Sequence, residues 1–460
     1  MEYEARKFRR SALFFSKAIM MAVLFGIFAA VWWFKYPEAT YYGPGNYMVL
    51  AFYLVVLTTF STLYGALSIG ILRLGEVIYS FSLTLAVTNA LAYAVFTLIA
   101  RGLLNGWWLI LATAVQLLLA SIAAFFINRL YFIMYPARNV AVVYASRGLA
   151  REVITKMSLK KDRYHVCVAV NEDEGYDAII QTLEGYAAVL FCDIDANLRH
   201  RLFSYCSLHG KRVYVLPSFQ DVLMRSSHLT QIFDTPVFYS KNSGPTTEQA
   251  IAKRLIDIVV SALGLLITSP VIALVALCVK LSDRGPVLYS QERLTQNGRV
   301  FRLYKFRSMI VDAEKDGGPR LASVGDDRIT PVGRILRKLR LDELPQLWNI
   351  LRGDMSLVGP RPERPEIALQ YQSELPEFAL RLRMKAGLTG YAQIYGRYNT
   401  TMRDKLLLDL LYTESYNLLL DFKMMFMTLK VIFMPESTEG IAAGTFLPGE
   451  AVSDNTEDAE

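Results

Sequence analysis

The sequence predicts a membrane protein in three parts. These are a four-helix transmembrane anchor, an α/β domain, and an α+β half tied to the bilayer by a re-entrant hydrophobic segment. Three observations carry this. Four long apolar runs fill the first 135 residues. Between 138 and 240, short apolar strands alternate with helical stretches, the βαβ pattern of a parallel sheet. A further apolar run, Ile258–Val279, has Ser269-Pro270 in its middle. The expected divisions are 1–137 for the anchor, 138–240 for the α/β domain, 241–250 for a linker, 251–285 for the re-entrant segment, 286–440 for the α+β half and 441–460 for an acidic tail.

Composition agrees. The 460 residues are 53% hydrophobic with mean hydropathy +0.28, more apolar than an ordinary soluble protein. A net charge of +7 suits the anionic surface of a lipid bilayer. No aromatic–basic motif points to nucleic acid. Cys167, Cys192, Cys206 and Cys278 lack CxxC spacing and read as thiols in a reducing compartment. All four histidines precede residue 230. Chemistry in the second half must therefore run on Asp, Glu, Lys, Arg or Tyr, which excludes His-based triads and His-ligated zinc there.

The anchor runs are Ser11–Phe34, Tyr47–Ile69, Val77–Ala100 and Trp107–Met134, each long enough to cross the hydrocarbon core. Trp32, Trp33, Trp107 and Trp108 sit near their ends, as interfacial belts do. Arg6, Lys7, Arg9, Arg10, Arg73, Arg129 and Arg138 fall on one side, against Lys35 and Arg101 on the other. Positive-inside counting puts the N-terminus and everything after the fourth span in the cytoplasm. No cluster of intramembrane charges suggests a transporter.

In the α/β domain the candidate strands are Val140–Ala145, His165–Val170, Ala187–Phe191 and Arg212–Leu216. The stretches Gly148–Met157, Gly175–Leu183 and Asn197–Leu208 read as helices. The order is Rossmann-like, but G-x-G-x-x-G is absent and only Gly148 follows the first strand. Without those glycines a pyrophosphate is not approached closely, so a spacer, dimerisation or regulatory role fits better.

In 251–285, Pro270 removes a helix hydrogen bond and predicts a break. A full crossing would export the charged residues beyond it. A hairpin on one face keeps Lys253, Arg254, Lys280 and Arg284 at one headgroup surface.

In 286–440, two strands flank a turn at Gln296-Asn297-Gly298, and strand period puts Lys305 and Arg307 on one face. A loop through Asp316-Gly317-Gly318-Pro319 leads to the stretch around which the half is organised. There Arg334, Arg337, Lys338 and Arg340 precede the adjacent acids Asp342 and Glu343. Pro345 follows closely and places the acids at a kink or helix start. Adjacent carboxylates share a divalent metal, and clustered Arg hold phosphate oxygens. That is the inventory of phosphoryl chemistry, with one acid attacking or positioning. The competing reading is a solvated helix face. Helices are expected at Lys405–Tyr416 and Phe422–Met434, the latter in the core or flat in the interface.

Residues 251–435 closely resemble the bacterial sugar transferases, the polyprenyl-phosphate glycosyl-1-phosphate transferases with a monotopic catalytic unit. The matching strings are Lys253-Arg254-x-x-Asp257, Ser269-Pro270, Gly285-Pro286-Val287, Tyr304-Lys305-Phe306-Arg307-Ser308-Met309, Leu341-Asp342-Glu343-Leu344-Pro345-Gln346-Leu347, Gly353-Asp354 through Pro360-Arg361-Pro362, and Gly387-Leu388-Thr389-Gly390-x-Ala392-Gln393. With its front half, the chain looks like the long form that starts capsule or exopolysaccharide synthesis in the bacterial inner membrane. One departure is Lys385-Ala386-Gly387, where the family commonly has Lys-Pro-Gly. Ala386 lacks the fixed φ of proline.

The resemblance implies transfer of a sugar phosphate from a UDP-sugar to a polyprenyl phosphate such as undecaprenyl phosphate, with release of UMP. It makes Asp342 the nucleophile that forms a phosphosugar intermediate, and Glu343 a partner in binding Mg²⁺. Arg337 would position phosphates, and Arg361, between Pro360 and Pro362, would contact the nucleotide. Lys305, Arg307, Asp354, Gln393 and Arg397 would line the pocket. Lys253, Arg254 and Asp257 would meet the lipid phosphate, and Ser269-Pro270 would form the kink. The chain is expected to pair as a homodimer. Galactose, glucose and an N-acetylated sugar all remain open. The rival functions are a membrane glycosyltransferase that releases UDP and a non-catalytic assembly scaffold.

Overall fold

A computed structural model of the chain describes residues 2–36, 44–240, 244–310, 326, 328–396 and 400–432. It divides into two compact units, whose described residues meet at Leu216/Pro217.

The first unit opens with four long helices, α1 (Glu2–Lys35), α2 (Gly45–Leu63), α3 (Leu74–Ala100) and α4 (Trp107–Met134). Their shared interior holds Leu24, Phe28, Trp32, Leu57, Phe81, Leu85, Phe96 and Ala120. Outward faces carry Phe14, Val55, Leu98, Ile110, Leu118 and Phe126 to the exterior. Apolar surface on both faces belongs in lipid, not water. One hydrogen-bonded chain touches all four helices. Tyr53 donates to Asn89 Oδ1 at 2.9 Å. Asn89 donates to Gln116 and to Thr113, each at 2.8 Å. Gln116 donates to the Leu24 carbonyl at 2.7 Å and to Tyr53 at 3.0 Å. The second span ends at Leu63, earlier than the expected Ile69, because Gly65 (φ +73°) and Gly70 (φ +79°) turn the chain.

The α/β part follows as β1 (Arg138–Tyr144), α5 (Arg147–Ser158), β2 (Tyr164–Asn171), α6 (Tyr176–Leu183), β3 (Ala188–Cys192), α7 (Ala196–Leu208) and β4 (Arg212–Val215). All strands are parallel, in the order β2-β1-β3-β4. Strand β1 is apolar on both faces because both are covered. Val140, Val142 and Tyr144 pack with Ala150 and Ile154 of α5. Ala141 and Val143 pack with Ile179, Leu183, Leu202 and Cys206 of α6 and α7.

The second unit starts earlier than residue 241. Its first helix, α8 (Phe219–Met224), buries Val222 among Leu406, Leu407 and Leu410. An unexpected hairpin follows, β5 (His228–Ile232) and β6 (Thr235–Tyr239), largely exposed on both faces. Helix α9 runs from Thr247 to Asp283 and so begins inside the expected linker, where Thr246 and Gln249 form a capping box. It stays helical through Pro270, against the expected break. Pro270 has no N–H for the Leu266 carbonyl. The Ser269 hydroxyl donates to that carbonyl at 2.8 Å, and Thr268 donates to Gly264 O at 2.6 Å. Both flanks of Pro270 pack on the same body. Ile256, Val260 and Leu265 join the core around Leu347 and Ile350. Ile272, Val275 and Val279 join Phe306 and Leu336. Leu266 and Ile267, between them, stand exposed.

The rest comprises β7 (Leu288–Leu294) antiparallel to β8 (Val300–Phe306), α10 (Pro331–Lys338), α11 (Gln346–Arg352), β9 (Ser356–Val358), α12 (Pro365–Glu374), β10 (Gly387–Thr389) parallel to β9, α13 (Tyr391–Tyr395), α14 (Met402–Glu414) and α15 (Leu418–Ile432). The expected loop 316–319 and acidic tail lie outside the described residues.

Candidate active site

The acids sit where two short helices meet. Thr330 caps α10 through the Gly333 N–H at 2.9 Å. Arg340, at φ +56°, turns the chain out of α10. Leu341–Glu343 make one 3-10 turn, and Pro345 starts α11. This matches the kink expected from Pro345.

The turn aims its two carboxylates into different surroundings. Lys305 Nζ donates to Glu343 Oε1 at 3.1 Å. Arg340 and Arg361 reach the same oxygen at 3.5 Å each. Burial works to raise the Glu343 carboxyl, but Lys305, Arg361 and Arg340 outweigh it and hold it at about 2. Asp342 goes the other way. Burial, with the Glu343 charge beside it, pushes its carboxyl up against the opposing pull of Lys305, Arg337 and Arg340. Its Oδ1 is buried with no hydrogen-bond partner among the described residues. Adjacent acids driven apart in this way have divided roles. One is a fixed anion. The other is more basic and has an oxygen to offer.

A pocket opens on this turn. Lys305, Glu343, Gln346, Arg293 and Arg361 supply its polar lining, and Leu303, Pro362, Gly387, Leu388 and Gln393 complete it. Arg293 holds the segment carrying Arg361, donating to the Pro362 carbonyl at 3.1 Å. Burial pulls the Arg293 guanidinium down to about 10. From behind, Arg381 donates to the Arg361 carbonyl at 2.8 Å while paired with buried Asp409 at 2.7 Å. Gly359, just past β9, and Gly387 and Gly390, at the two ends of β10, meet backbone to backbone, and a Cβ on any of them would strike main-chain atoms.

The expected pocket residues separate. Lys305, Arg361, Pro362 and Gln393 line the cavity with Glu343. Pro360 accepts from the Gly387 N–H at 2.9 Å, next to it. Arg337 flanks Asp342 and donates to Ser308 Oγ at 3.0 Å. Arg307 does not share the Lys305 site. It lies one residue past β8, with its guanidinium against Gly285. Asp354 pairs with Arg299 at 3.2 Å and Arg352 at 3.7 Å, not with the dyad. Arg397 lies outside the described residues.

The α9 residues expected at a lipid phosphate are engaged by protein groups. Lys253 bonds Asp421 at 2.6 Å and the Val358 carbonyl at 2.9 Å. Asp257 accepts from the Leu357 N–H at 2.9 Å and from Ser356 at 3.1 Å. Arg254 covers the last carbonyls of α11, Ile350 at 2.7 Å and Leu351 at 2.8 Å. The three thus root α9 on β9 and α11. Ala386 also has a local account. Its N–H donates to Thr295 Oγ1 at 3.2 Å, a bond that a proline lacks, so hydrogen bonding holds the loop in place of a fixed φ.

Sequence reading missed Arg293, Gln346, Leu303 and Leu388 as lining. Gln346 and Leu388 had a signal, each standing in one of the matching strings. The two acids suit a hard cation. Mg²⁺ takes one or two carboxylates and completes its shell with substrate phosphates and water. No cluster of three potential ligands exists among the described residues, and the unpartnered Asp342 oxygen fits a shell completed by substrate.

A family model, bacterial sugar transferase, matches residues 248–435. The chain is 33% identical over 348 residues to undecaprenyl-phosphate glucose phosphotransferase of Komagataeibacter xylinus, covering 70% of this chain and 64% of that protein. It is 32% identical over 268 residues to UDP-N-acetylgalactosamine-undecaprenyl-phosphate N-acetylgalactosaminephosphotransferase of Aeromonas hydrophila, covering 56% of this chain and 59% of that protein. It is 39% identical over 203 residues to UDP-glucose:undecaprenyl-phosphate glucose-1-phosphate transferase of Caulobacter vibrioides, covering 42% and 75%. The chain thus spans less than two thirds of the length of the first two relatives.

Proposed function

The chain belongs to the bacterial sugar transferase family, and from that premise we propose that it moves a sugar 1-phosphate from a UDP-sugar to undecaprenyl phosphate and releases UMP. The carrying observation is the divided dyad: Glu343 held anionic by three cations, and Asp342 more basic with an unpartnered buried oxygen.

In this reading an Asp342 oxygen attacks the sugar-proximal phosphorus. The new bond joins carboxylate oxygen to phosphorus, and UMP departs with the electrons of the broken phosphoanhydride bond. A phosphate oxygen of the lipid acceptor then attacks the same phosphorus, and the Asp342 carboxylate is regenerated. Lys305 and Arg361 face the phosphates, and Arg337 supports Asp342. Asp342 and Glu343 would hold Mg²⁺, which supplies charge neutralisation to the phosphates when bound. Rooted by Lys253, Arg254 and Asp257, α9 would dip its exposed middle, Leu266 and Ile267, into the cytoplasmic leaflet. Packing of both its flanks on one body supports this. The anchor would leave the site facing the cytoplasm, at the start of capsule or exopolysaccharide synthesis.

The test is product identity with purified chain, undecaprenyl phosphate, magnesium and a panel of UDP-sugars. Release of UMP with one sugar, abolished by EDTA and restored by magnesium, is expected. Release of UDP would instead indicate glycosyl transfer and overturn the reading.

A further inference from the structure

We infer that the Gln393 carboxamide reads the pairing edge of the donor's pyrimidine base through two parallel hydrogen bonds. This rests on the transferase reading for what enters the cavity, and adds which part of the donor is recognised and by what.

Gln393 differs from the other lining residues. The charged lining is drawn together, with Lys305 and Arg361 both reaching Glu343. Gln346 follows Glu343 by three positions and has only its Nε2 buried and unmatched among the described residues. Leu303, Leu388 and Pro362 line the same pocket. Both amide atoms of Gln393 are buried, and neither has a hydrogen-bond partner among the described residues. Asn349, in the same unit, shows what a buried carboxamide does when its work is structural. It donates to the Arg302 carbonyl at 2.7 Å and accepts from the Tyr304 N–H at 3.0 Å. Leaving both atoms of a buried amide unmatched costs stability unless an incoming group matches them.

The backbone sets the amide in place. The Gln393 N–H donates to Gly390 O at 3.1 Å, and the Gly390 backbone is pressed on Gly359. Just before them, Thr389 is pinned by Thr428 at 2.7 Å. The amide therefore stands beside the segment that carries Arg361, on a short rigid element.

The chemistry follows from the shape of a carboxamide. It shows one donor and one acceptor in one plane, whichever way it is turned. A uracil edge offers the N3–H donor flanked by carbonyl acceptors, so two in-plane hydrogen bonds form together. A pyranose spreads its hydroxyls around a puckered ring and has no flat edge of this kind. Cytosine meets the same amide turned over, so the test uses N3-methylation, which blocks this edge and nothing else.

The experiment is calorimetric binding of UMP and N3-methyl-UMP to the full chain in lipid nanodiscs with magnesium, using unsubstituted protein and the Gln393→Ala and Gln393→Met variants. Unsubstituted protein should bind UMP about tenfold more tightly than N3-methyl-UMP, the worth of two modest hydrogen bonds. Both variants should lose about tenfold for UMP and little for N3-methyl-UMP. The comparison on unsubstituted protein holds even if a variant fails to fold. Equal binding of the two nucleotides overturns the assignment. So does a Gln393→Ala effect that appears only with the whole UDP-sugar, which would place the amide on the sugar. If UDP-sugars yield no UMP while the N3-methyl contrast persists, the transfer reading falls and the base-edge assignment stands. Turnover to UMP without the contrast gives the reverse.

Discussion

Four carboxamides with buried amide atoms, two in the helical bundle and two beside the dyad, behave in opposite ways. Asn89 and Gln116 have their donors and acceptors matched, in a chain that ties α1 to α4. Gln346, only 4% exposed, leaves Nε2 unmatched, and Gln393 leaves both amide atoms unmatched, among the described residues. In these four the same side-chain chemistry holds a fold in one region and waits for a ligand in the other. A buried polar group hydrogen-bonded at every atom is explained by stability. One left open next to a cavity is explained by what enters it.

Substitutions sharpen the contrast. The largest effect should come from Arg381→Met, which strands Asp409 in the core of the second unit. Breaking one side of a buried pair costs about 3–5 kcal/mol, so the unfolding midpoint in mild detergent should drop steeply. UMP affinity should fall too, because the Arg361 carbonyl loses its donor. An unchanged midpoint would mean that the pair is not structural. Asn89→Leu comes next. It leaves the Tyr53 hydroxyl without its acceptor and the Gln116 carboxamide oxygen without its donor, at about 1–3 kcal/mol. Catalysis in the protein that remains folded should be intact, and a loss of turnover without a loss of stability would break the comparison. Gln346→Met should be the mildest for stability, within about 0.5 kcal/mol, since an unmatched amide contributes little to folding. Its turnover should fall all the same. A large loss of stability here would show that Gln346 is a structural amide after all.

Much of this was legible in the sequence, for reasons the contrast explains. Apolar periodicity reports burial, so the long helices and the parallel sheet were visible. Pro345 reported the turn that carries Asp342 and Glu343. What stayed hidden depends on partners far along the chain. Arg293 carries no pocket signal in the sequence, since its acceptor, the Pro362 carbonyl, lies far along the chain. Arg254 reads as a headgroup cation until the carbonyls of α11 arrive beneath it. The hairpin β5–β6 is exposed on both faces and so leaves no alternating pattern to read. Ser269 reads as part of a helix breaker, yet its hydroxyl serves the carbonyl that Pro270 frees.

The most direct test of the central claim is the intact mass of the purified chain after incubation with its UDP-sugar and magnesium, without lipid acceptor. A gain of one sugar phosphate, mapped to the peptide bearing Asp342, accompanied by UMP and absent from Asp342→Asn, is the predicted result. Full turnover by Asp342→Asn, or an adduct on another residue, would contradict it.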